Sequence, residues 1–495
     1  MSTTTGDREG AMGTLDGLEP REVWRWFAGV CAIPRPSGSE RRIADFIERF
    51  ARARRLEHLR DAADNVLIKA PGMGAGASGP PLLLQAHLDM VPEKASGSTH
   101  DFERDGIVPV VDGDWVTSPE TTLGADNGIG VALMLAVLDS DSIPHPPLEC
   151  LFTTDEERGL TGAASLDPSW ISARRMINLD SEEEGDFCIG CAGGVDLTAE
   201  MPMERAPASG EVLELEISGM KGGHSGMAIA EGVGNAIRFL ARTLLPLCRD
   251  HGCLLLSLQG GSKRNAIPRT ASALITVPEG HEETVRKAVS MVEASLRSEY
   301  TGIDEGIRIE VRRSDSKELP FTPASGMRAI GLLLALPHGV QKMSGLIPGL
   351  VETSVNLAIA STTTDTMSVV LSARSPIGSA KQAVADRVEA IAGLSGCTFS
   401  NGEGYPGWMP DPASKLLARS MAVYSSVTGA EPHAVTIHAG LECGIIGDAV
   451  GGMDMISMGP DIRDVHVPGE RASIPSLARF WRFFLALLAR MDMEG

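Results

Sequence analysis

Five positions in this sequence carry the residue types that hold metal ions or move protons: His87-Leu88-Asp89, Asp126, Asp155-Glu156-Glu157, Asp180 and, near the far end, His466. Three of them directly follow short apolar runs at 82–86, 148–154 and 176–179 that read as strands buried on both faces. In an open α/β sheet the crevice beyond the carboxyl ends of the strands is where ligands bind, so these clusters are expected to converge there. Asp126 lies in the turn Gly124-Ala125-Asp126-Asn127-Gly128 leading into a helix, where Asp is also a good N-cap. His466 sits in Asp464-Val465-His466-Val467-Pro468, just after a strand and a Gly459-Pro460 turn. Several carboxylates in one partly dehydrated cleft repel one another unless cations neutralise them. Two His with several carboxylates suit Zn²⁺, Mn²⁺ or Co²⁺, and one carboxylate bridging two ions would make a two-metal clamp that turns a bridging water into hydroxide. Hydrolysis is the expected chemistry.

Each element also has an ordinary structural explanation. An H-x-D is commonly a satisfied surface His, an Asp-Asn turn a cap, and a Glu pair a solvated face. What raises the set above these readings is that unrelated clusters fall at one edge of one sheet. The run Glu182-Glu183-Glu184 is read as solvated surface, and histidines other than His87 and His466 default to structural or exposed roles.

Stepping along the chain, helical spacing covers 20–31 and 40–54, a loop punctuated by Pro34, Pro36 and Gly38 lies between them, and 65–69 reads as a strand. With a helix at 127–138 between strands, the opening reads as an α/β domain with parallel strands. From about Gly194 the pattern changes to strand 212–217, helix 232–248, strands 254–258 and 271–277, and helix 281–300. The order recurs as strand 307–311, helix 323–336, strands 351–360 and 366–373, and helix 381–392, so the segment reads as two copies of one βαββα subdomain. After about Gly402 the buried-strand character returns, with a strand at 454–458 and a closing helix at 474–491. The fold class expected is α/β: a mixed-sheet catalytic domain from 1–193 and 403–495, with an α+β lid domain inserted at 194–402.

At 495 residues, 43% of them hydrophobic and 22% charged, the chain can bury substantial cores, and its length favours more than one domain. Its formal net charge of −21 repels phosphate backbones and anionic lipid heads, arguing against nucleic-acid and membrane partners. No apolar run approaches the roughly 20 residues of a membrane span. The first 14 residues lack the apolar core of a signal peptide and read as a loose tail, and the expectation is a cytoplasmic protein. Eight scattered cysteines suggest reduced thiols; Cys188 and Cys191 form a C-x-x-C, but a structural zinc site needs a second such pair, and none is present. The segment 124–130 lacks the G-x-G-x-x-G spacing of a dinucleotide site.

Over nearly its whole length the chain resembles the M20 metallopeptidases, most closely their dipeptidases. The matching stretches include I-P-R-P-S-G-S-E from Ile33, L-Q-A-H-L-D-M-V from Leu84, L-G-A-D-N-G-I-G from Leu123, T-T-D-E-E-R-G-L-T-G from Thr153 and I-N-L-D-S-E from Ile177. Others are G-C-A-G-G from Gly190, G-G-H-S-G from Gly222, N-A-I-P-R from Asn265, L-V-E-T-S-V-N-L from Leu350, H-A-G-L-E-C-G from His438 and D-V-H-V-P-G-E from Asp464. The resemblance implies two divalent ions, usually zinc with Co or Mn possible, bridged by Asp126: one held by His87 and Asp180, the other by Glu157 and His466. It implies Glu156 as general base, Asp89 as the carboxylate orienting His87, and His224 as the oxyanion donor.

Asn265, Arg374, His438 and Glu442 look like substrate-binding residues, with Arg374 for a dipeptide's carboxylate and Glu442 for its amine. The activity implied is dipeptide hydrolysis, broad in specificity and including Xaa-His and β-alanyl-histidine. Alternatives are another M20-like hydrolase (an N-acyl amino acid deacylase, tripeptidase or carboxypeptidase) or a non-catalytic metal-dependent binding protein. The partner expected is a small peptide substrate, and the chain is read as a monomer or homodimer; in relatives with a single lid unit a partner subunit supplies the oxyanion His, a place the second copy could take here. One departure stands out: after G-G-H-S-G the family typically has an Asp and an Arg, where this chain has Ala228, Ala230 and Val233.

Overall fold

The computed structural model describes residues 15–491; the expected loose tail at 1–14 lies outside the described residues. In chain order the first part contains helices α1 (Arg21–Cys31) and α2 (Arg41–Arg54), strands β1 (Glu57–Arg60), β2 (Val66–Ala70) and β3 (Leu82–His87), helix α3 (Ala125–Asp139), and strands β4 (Leu148–Thr153), β5 (Arg175–Asn178) and β6 (Asp186–Cys191). Then follow β7 (Gly193–Pro202), β8 (Glu211–Ser218), α4 (Ala236–Asp250), β9 (Leu254–Gly260), β10 (Ala271–Val277), α5 (Glu282–Glu299) and β11 (Arg308–Arg313). Next come α6 (Pro323–Ala335), β12 (Gly339–Met343), β13 (Val351–Thr362), β14 (Thr366–Ser375), α7 (Gly378–Leu394) and β15 (Thr398–Asn401). The chain ends with α8 (Lys415–Thr428), β16 (His433–Ile437), β17 (Asp454–Ser457) and α9 (Ile474–Leu488).

These elements form two compact units. One comprises the described residues up to Gly190, Trp408–Thr436 and those from Leu441 onward; the other comprises Cys191–Gly407 and Ile437–Gly440. The division falls three residues before and five after the expected boundaries, and His438 belongs to the second unit rather than to the C-terminal return.

In the first unit eight strands are ordered β1-β2-β4-β3-β5-β17-β6-β16. The central pairs β4/β3, β3/β5 and β5/β17 are parallel, whereas β1/β2, β2/β4 and β17/β6 are antiparallel. The sheet is therefore mixed, with the parallel character limited to the central strands. These are the continuous apolar runs, and every residue of β3 and β4 is buried. α3 is apolar on all sides, with Ile129, Val131, Leu133, Leu135 and Val137 all essentially inaccessible, as befits a helix enclosed by its neighbours. A small four-stranded sheet orders Ile462–Arg463, Arg471–Ser473, Trp115–Thr117 and Val110–Asp112, which ties the loop carrying His466 to the segment leading into α3.

The second unit is built on one nine-stranded sheet, ordered β11-β8-β10-β9-β13-β14-β7-β15, with β12 pairing β13. The two halves repeat as expected, but their composition differs from the sequence reading. β11, read as opening the second copy, pairs antiparallel with β8 and closes the first half. The corresponding inner strand of the second half is β7, which precedes the first copy in the chain and pairs with both β14 and β15. Local patterning cannot show this, because the partner of a strand is chosen by long-range register. The halves meet where β9 pairs β13 through Gln259↔Ser361 and Gly260↔Ala360. A single apolar core runs through both, from Leu213 and Ile217 on β8 to Val369 and Leu371 on β14. No helix among the described residues is long and apolar enough to cross a membrane.

Candidate active site

His87 is the last residue of β3 and is 1% exposed. Its Nε2 lies 3.1 Å from Asp126 Oδ1 and 3.3 Å from Asp180 Oδ1, while its Nδ1 lies 3.3 Å from Asp89 Oδ1. The other oxygen of Asp126, Oδ2, lies 3.1 Å from His466 Nε2, which is also 2.9 Å from Glu157 Oε1. Asp126 thus presents one oxygen to each of two nests, His87 with Asp180 and His466 with Glu157. Ligand-type atoms of His87, Asp126 and Asp180, of Asp126, Glu157 and His466, and of His87, Glu156 and Glu157 lie within 4.8 Å of one another in each group. No cysteine appears in such a group among the described residues.

The surrounding backbone holds these side chains in place. Asp89, fully buried, accepts the N–H groups of Glu156 at 3.0 Å and Glu157 at 3.2 Å, so one carboxylate both orients the His87 ring and fixes the turn after β4. Asn127 Nδ2 donates to Asp180 Oδ1 at 2.6 Å. Asp126 is not the N-cap of α3: its backbone is non-helical, and no side-chain cap bond is made at Gly124, the N-cap position. The free N–H groups of Leu123, Gly124, Ala125 and Asp126 are instead taken by the carboxylate of Glu470, which leaves the Asp126 side chain available to the two His. His466 has a positive φ of 63° on its loop, a sparsely populated conformation of the kind that clusters at functional sites.

The protonation equilibria express the crowding of charge. Burial and the neighbouring carboxylates push Asp180 up to about 7, and burial with its acidic neighbours raises Glu156 well above its usual range. Glu157 is also raised, mainly by burial. Burial opposes protonation of His87, yet the Asp180 charge and bonds to Asp126, Asp180 and Asp89 raise its pKa well above normal. Bonds to Asp126 and Glu157 push His466 up to about 11. For Asp89 burial acts upward, but the His87 bond and the backbone donors win and bring it to about 2. The cluster thus balances its negative charge with protons. Nitrogen and carboxylate donors at this spacing fit divalent ions of the Zn, Mn or Co type, which would take the place of those protons.

Glu182 departs from its reading as solvated surface. It is half-buried, and burial with the charges of Asp126 and Asp180 pushes its carboxyl up to about 8. Its neighbour Glu184 has a side chain only 4% exposed and is paired to Arg479 at 2.5 Å. The repeated Glu made the run look like a charged surface, but two of the three turn inward. Glu442, the carboxylate expected at the substrate amine, is deeply set. It is fully buried in the first unit, where one oxygen accepts from Gln85 Nε2 at 2.6 Å and Thr153 Oγ1 at 2.7 Å, and burial raises its pKa to about 8. The expected amine-binding carboxylate is therefore enclosed among strand side chains.

In the second unit, His224 forms a two-residue strand with Gly223 that pairs with Ala266–Ile267, and the Asn265 carbonyl accepts from the Ser225 N–H at 2.8 Å. Asn265 itself is exposed. His224 Nδ1 accepts the backbone N–H groups of Gly226 and Met227 at 3.2 and 3.4 Å, so in the neutral ring the proton sits on Nε2. Burial and then the Arg374 charge lower its pKa, which favours that neutral form. Arg374, opposite Ser354 and Gly194 in the sheet register, donates from Nη1 to the Tyr405 hydroxyl at 3.1 Å. Ser354 Oγ lies 2.7 Å from His438 Nε2, and burial followed by the Arg374 charge lowers His438 to about 4. Arg374 thus influences both His224 and His438. Ala228 and Val233, where the sequence departs from the family, pack with Ile229, Ile267 and Val351 in a small apolar cluster that seats the His224 loop.

The profile of Peptidase family M20/M25/M40 matches residues 83–490. A cytosol non-specific dipeptidase of Escherichia coli (strain K12) is 37% identical over 485 residues, covering 98% of this chain and all of that one. The chain belongs to the M20 peptidase family. Among solved structures, an aminoacylhistidine dipeptidase from Vibrio alginolyticus aligns with a TM-score of 0.87 at 37% identity, covering 97% of this chain and 99% of that one. An aminopeptidase PepT from Bacillus cereus ATCC 10987 shares the fold at a TM-score of 0.56 and 15% identity, covering 96% of this chain and all of that one. In this M20 peptidase the sequence reading missed three buried polar residues and one half-buried tyrosine around the candidate ligands and Arg374: Arg35, Asn127, Glu470 and Tyr405. All but Tyr405 lie within motif stretches already noted, but an Arg, an Asn or a lone Glu beside a turn carries no spacing signal of its own.

Proposed function

We propose that the chain is a dipeptidase acting at a pair of divalent metal ions, most simply zinc, with cobalt or manganese as substitutes. The observation that carries this reading is the two-sided placement of Asp126, one oxygen toward His87 and the other toward His466. On it, His87 and Asp180 hold one ion, Glu157 and His466 the other, and Asp126 is shared. Bound there, such ions polarise a peptide carbonyl and acidify a water molecule. Glu156, raised by burial and free of metal duty, removes the proton of the attacking water and returns it to the leaving amine nitrogen. Asp89 keeps the His87 ring oriented and the Glu156 turn fixed. His224 offers Nε2–H to the oxyanion, and Arg374, with Asn265 and His438 of the same unit, takes the substrate carboxylate.

The names of the Escherichia coli and Vibrio alginolyticus relatives support dipeptides as substrates, the second supports aminoacyl-histidine dipeptides, and the first supports a cytoplasmic setting; β-alanyl-histidine is one of the substrates proposed. The test is a panel of dipeptides, tripeptides and N-acetyl amino acids, run beside elemental analysis of protein purified without chelator. Two ions per chain and turnover confined to dipeptides are expected. Turnover of the N-acetyl compounds instead would identify a deacylase, and metal binding with no turnover would identify a binding protein.

A further inference from the structure

Arg35 and Glu470 are among the most deeply buried charged residues of the first unit, at 1% and 2% exposure, and both spend their charge on backbone groups. Glu470 gathers four consecutive N–H groups, those of Leu123, Gly124, Ala125 and Asp126, at 2.8, 2.9, 2.7 and 3.2 Å. Arg35 gathers carbonyls: Nη1 donates to Leu88 O and Asp89 O, each at 2.9 Å, and Nη2 donates to Gly124 O at 2.5 Å. The same turn is therefore gripped by its N–H groups from Glu470 and by a carbonyl from Arg35. Arg35 also ties that turn, which carries Asp126, to the segment that follows His87. Glu470 lies four residues beyond His466 on a loop pinned by Thr117 Oγ1, which donates to the Gly469 and Glu470 carbonyls, and by the Gly469 N–H, which donates to Ser118 O and Thr121 O. Glycine is required beside the strut, because a Cβ at Gly124 or Gly128 would lie within 2.5 or 2.7 Å of Arg35 Nη2.

We infer that Arg35 and Glu470 are positioning residues that fix the segments bearing His87, Asp126 and His466 in the spacing two metal ions require. The inference rests on the metal reading above. The physical need is plain: carboxylates brought together without cations repel, and a turn with four unsatisfied N–H groups would be free to move away from the cluster. A buried carboxylate taking those groups on one side and a guanidinium spanning three carbonyls on the other set the turn before an ion arrives. Charge-assisted bonds of this kind are about twice as strong as neutral ones, and neither a single ammonium nor an amide can make the same set.

The test uses full-length metal-stripped protein, with Zn²⁺ or Mn²⁺ titrated by calorimetry or against a competing chelator, and thermal unfolding recorded with and without metal. Arg35→Lys and Glu470→Gln are expected to weaken binding of at least one ion by about 10- to 100-fold, the range found when outer partners of metal ligands are removed. Glu470→Asp is expected to recover part of that loss. Glu149→Gln serves as the comparison: Glu149 is 4% exposed and likewise accepts backbone N–H groups, from Ser172 and Ala173, but sits near the opposite end of β4. It should lower the melting temperature and leave metal affinity unchanged. If the Arg35 and Glu470 variants melt earlier but bind metal as the parent does, the pair is structural and the inference is wrong. If Glu470→Gln does not fold, Arg35→Lys and Glu470→Asp give the same discrimination. If the parent itself binds no metal, it is the metal reading that fails.

Discussion

The Tyr405 hydroxyl accepts a hydrogen bond from Arg374 Nη1 at 3.1 Å, and the space its ring occupies is made by glycines from two separate motifs. A Cβ at Gly194 would lie 2.7 Å from the ring, and one at Gly440 would lie 2.9 Å from it. The Tyr405 carbonyl is held by Lys381 Nζ and by the Gly194 N–H. The guanidinium proposed to take a substrate carboxylate is therefore aimed by a tyrosine whose seat is built into the sequence. Tyr405→Phe keeps the ring and removes only the acceptor, so KM for dipeptides should rise several-fold while kcat changes less than twofold, in keeping with about 1 kcal/mol for one such bond. Gly194→Ala should be worse on both counts, because it displaces the ring. Steady-state kinetics on one dipeptide decides it: a fall in kcat with KM unchanged for Tyr405→Phe would rule out a role in carboxylate binding.

Glu156 is assigned proton transfer because its neighbour Glu157 is the carboxylate that pairs with His466, at 2.9 Å, while burial raises the pKa of Glu156 well above its usual range. Glu156→Gln preserves shape and leaves the Asp89 bond to its backbone N–H intact. The expected result is a loss of about 10² to 10⁴ in kcat with two metal ions still bound. Near-normal kcat would remove Glu156 from the mechanism, and loss of one ion would make it a ligand instead.

How much of this was legible beforehand follows the physics of each feature. β3, β4, β5 and β17 were readable because a strand buried on both faces is apolar over most of its length, and the polar residues that end such runs stand out. The turn at Asp126 was readable from its Gly-Ala-Asp-Asn-Gly character, but its cap was not, since the carboxylate that satisfies it comes from Glu470, 344 residues away. β7 and β11 could not be sorted between the two halves of the second unit because alternation reveals a strand and not its partner. The surroundings of Glu442, expected to meet a substrate amine, were not legible either: its Oε2 accepts from Gln85 and Thr153 on adjacent strands, partners far away in the chain that no motif spacing reveals.

His224 is expected to act as a neutral donor. With Nδ1 occupied by two backbone N–H groups and burial, then the Arg374 charge, disfavouring the cation, the neutral ring with its proton on Nε2 is favoured. His224→Ala should lower kcat by about 10² to 10³ without altering metal content, the usual cost of losing one oxyanion donor. Because no protonation of His224 is needed, the parent's kcat should not fall as pH is raised from about 6 to 8. A kcat that falls with increasing pH over that interval, through a group abolished by His224→Ala, would show that the imidazolium is the working form.

The stability of the metal-free protein should depend on pH in a direction opposite to ordinary acid denaturation. Asp180 moves from 3.8 to about 7 on folding, Glu442 from 4.5 to about 8, and His466 from 6.5 to about 11. In each of these windows the folded chain binds more protons than the unfolded one, so each group's contribution weakens as pH rises through its window. Asp89, lowered from 3.8 to about 2, works the other way, but its contribution is complete above its unfolded value and is lost only in strong acid. In the presence of a chelator the melting temperature should therefore fall between about pH 5 and pH 9. Added Zn²⁺ or Mn²⁺ replaces the lost protons, so the rise in melting temperature on adding metal should be larger at the alkaline end. Asp180→Asn and His466→Gln should each flatten the chelator profile, which separates these groups from the rest of the chain's carboxylates. If both variants keep the slope of the parent, the protons counted here are not what holds the metal-free cluster together.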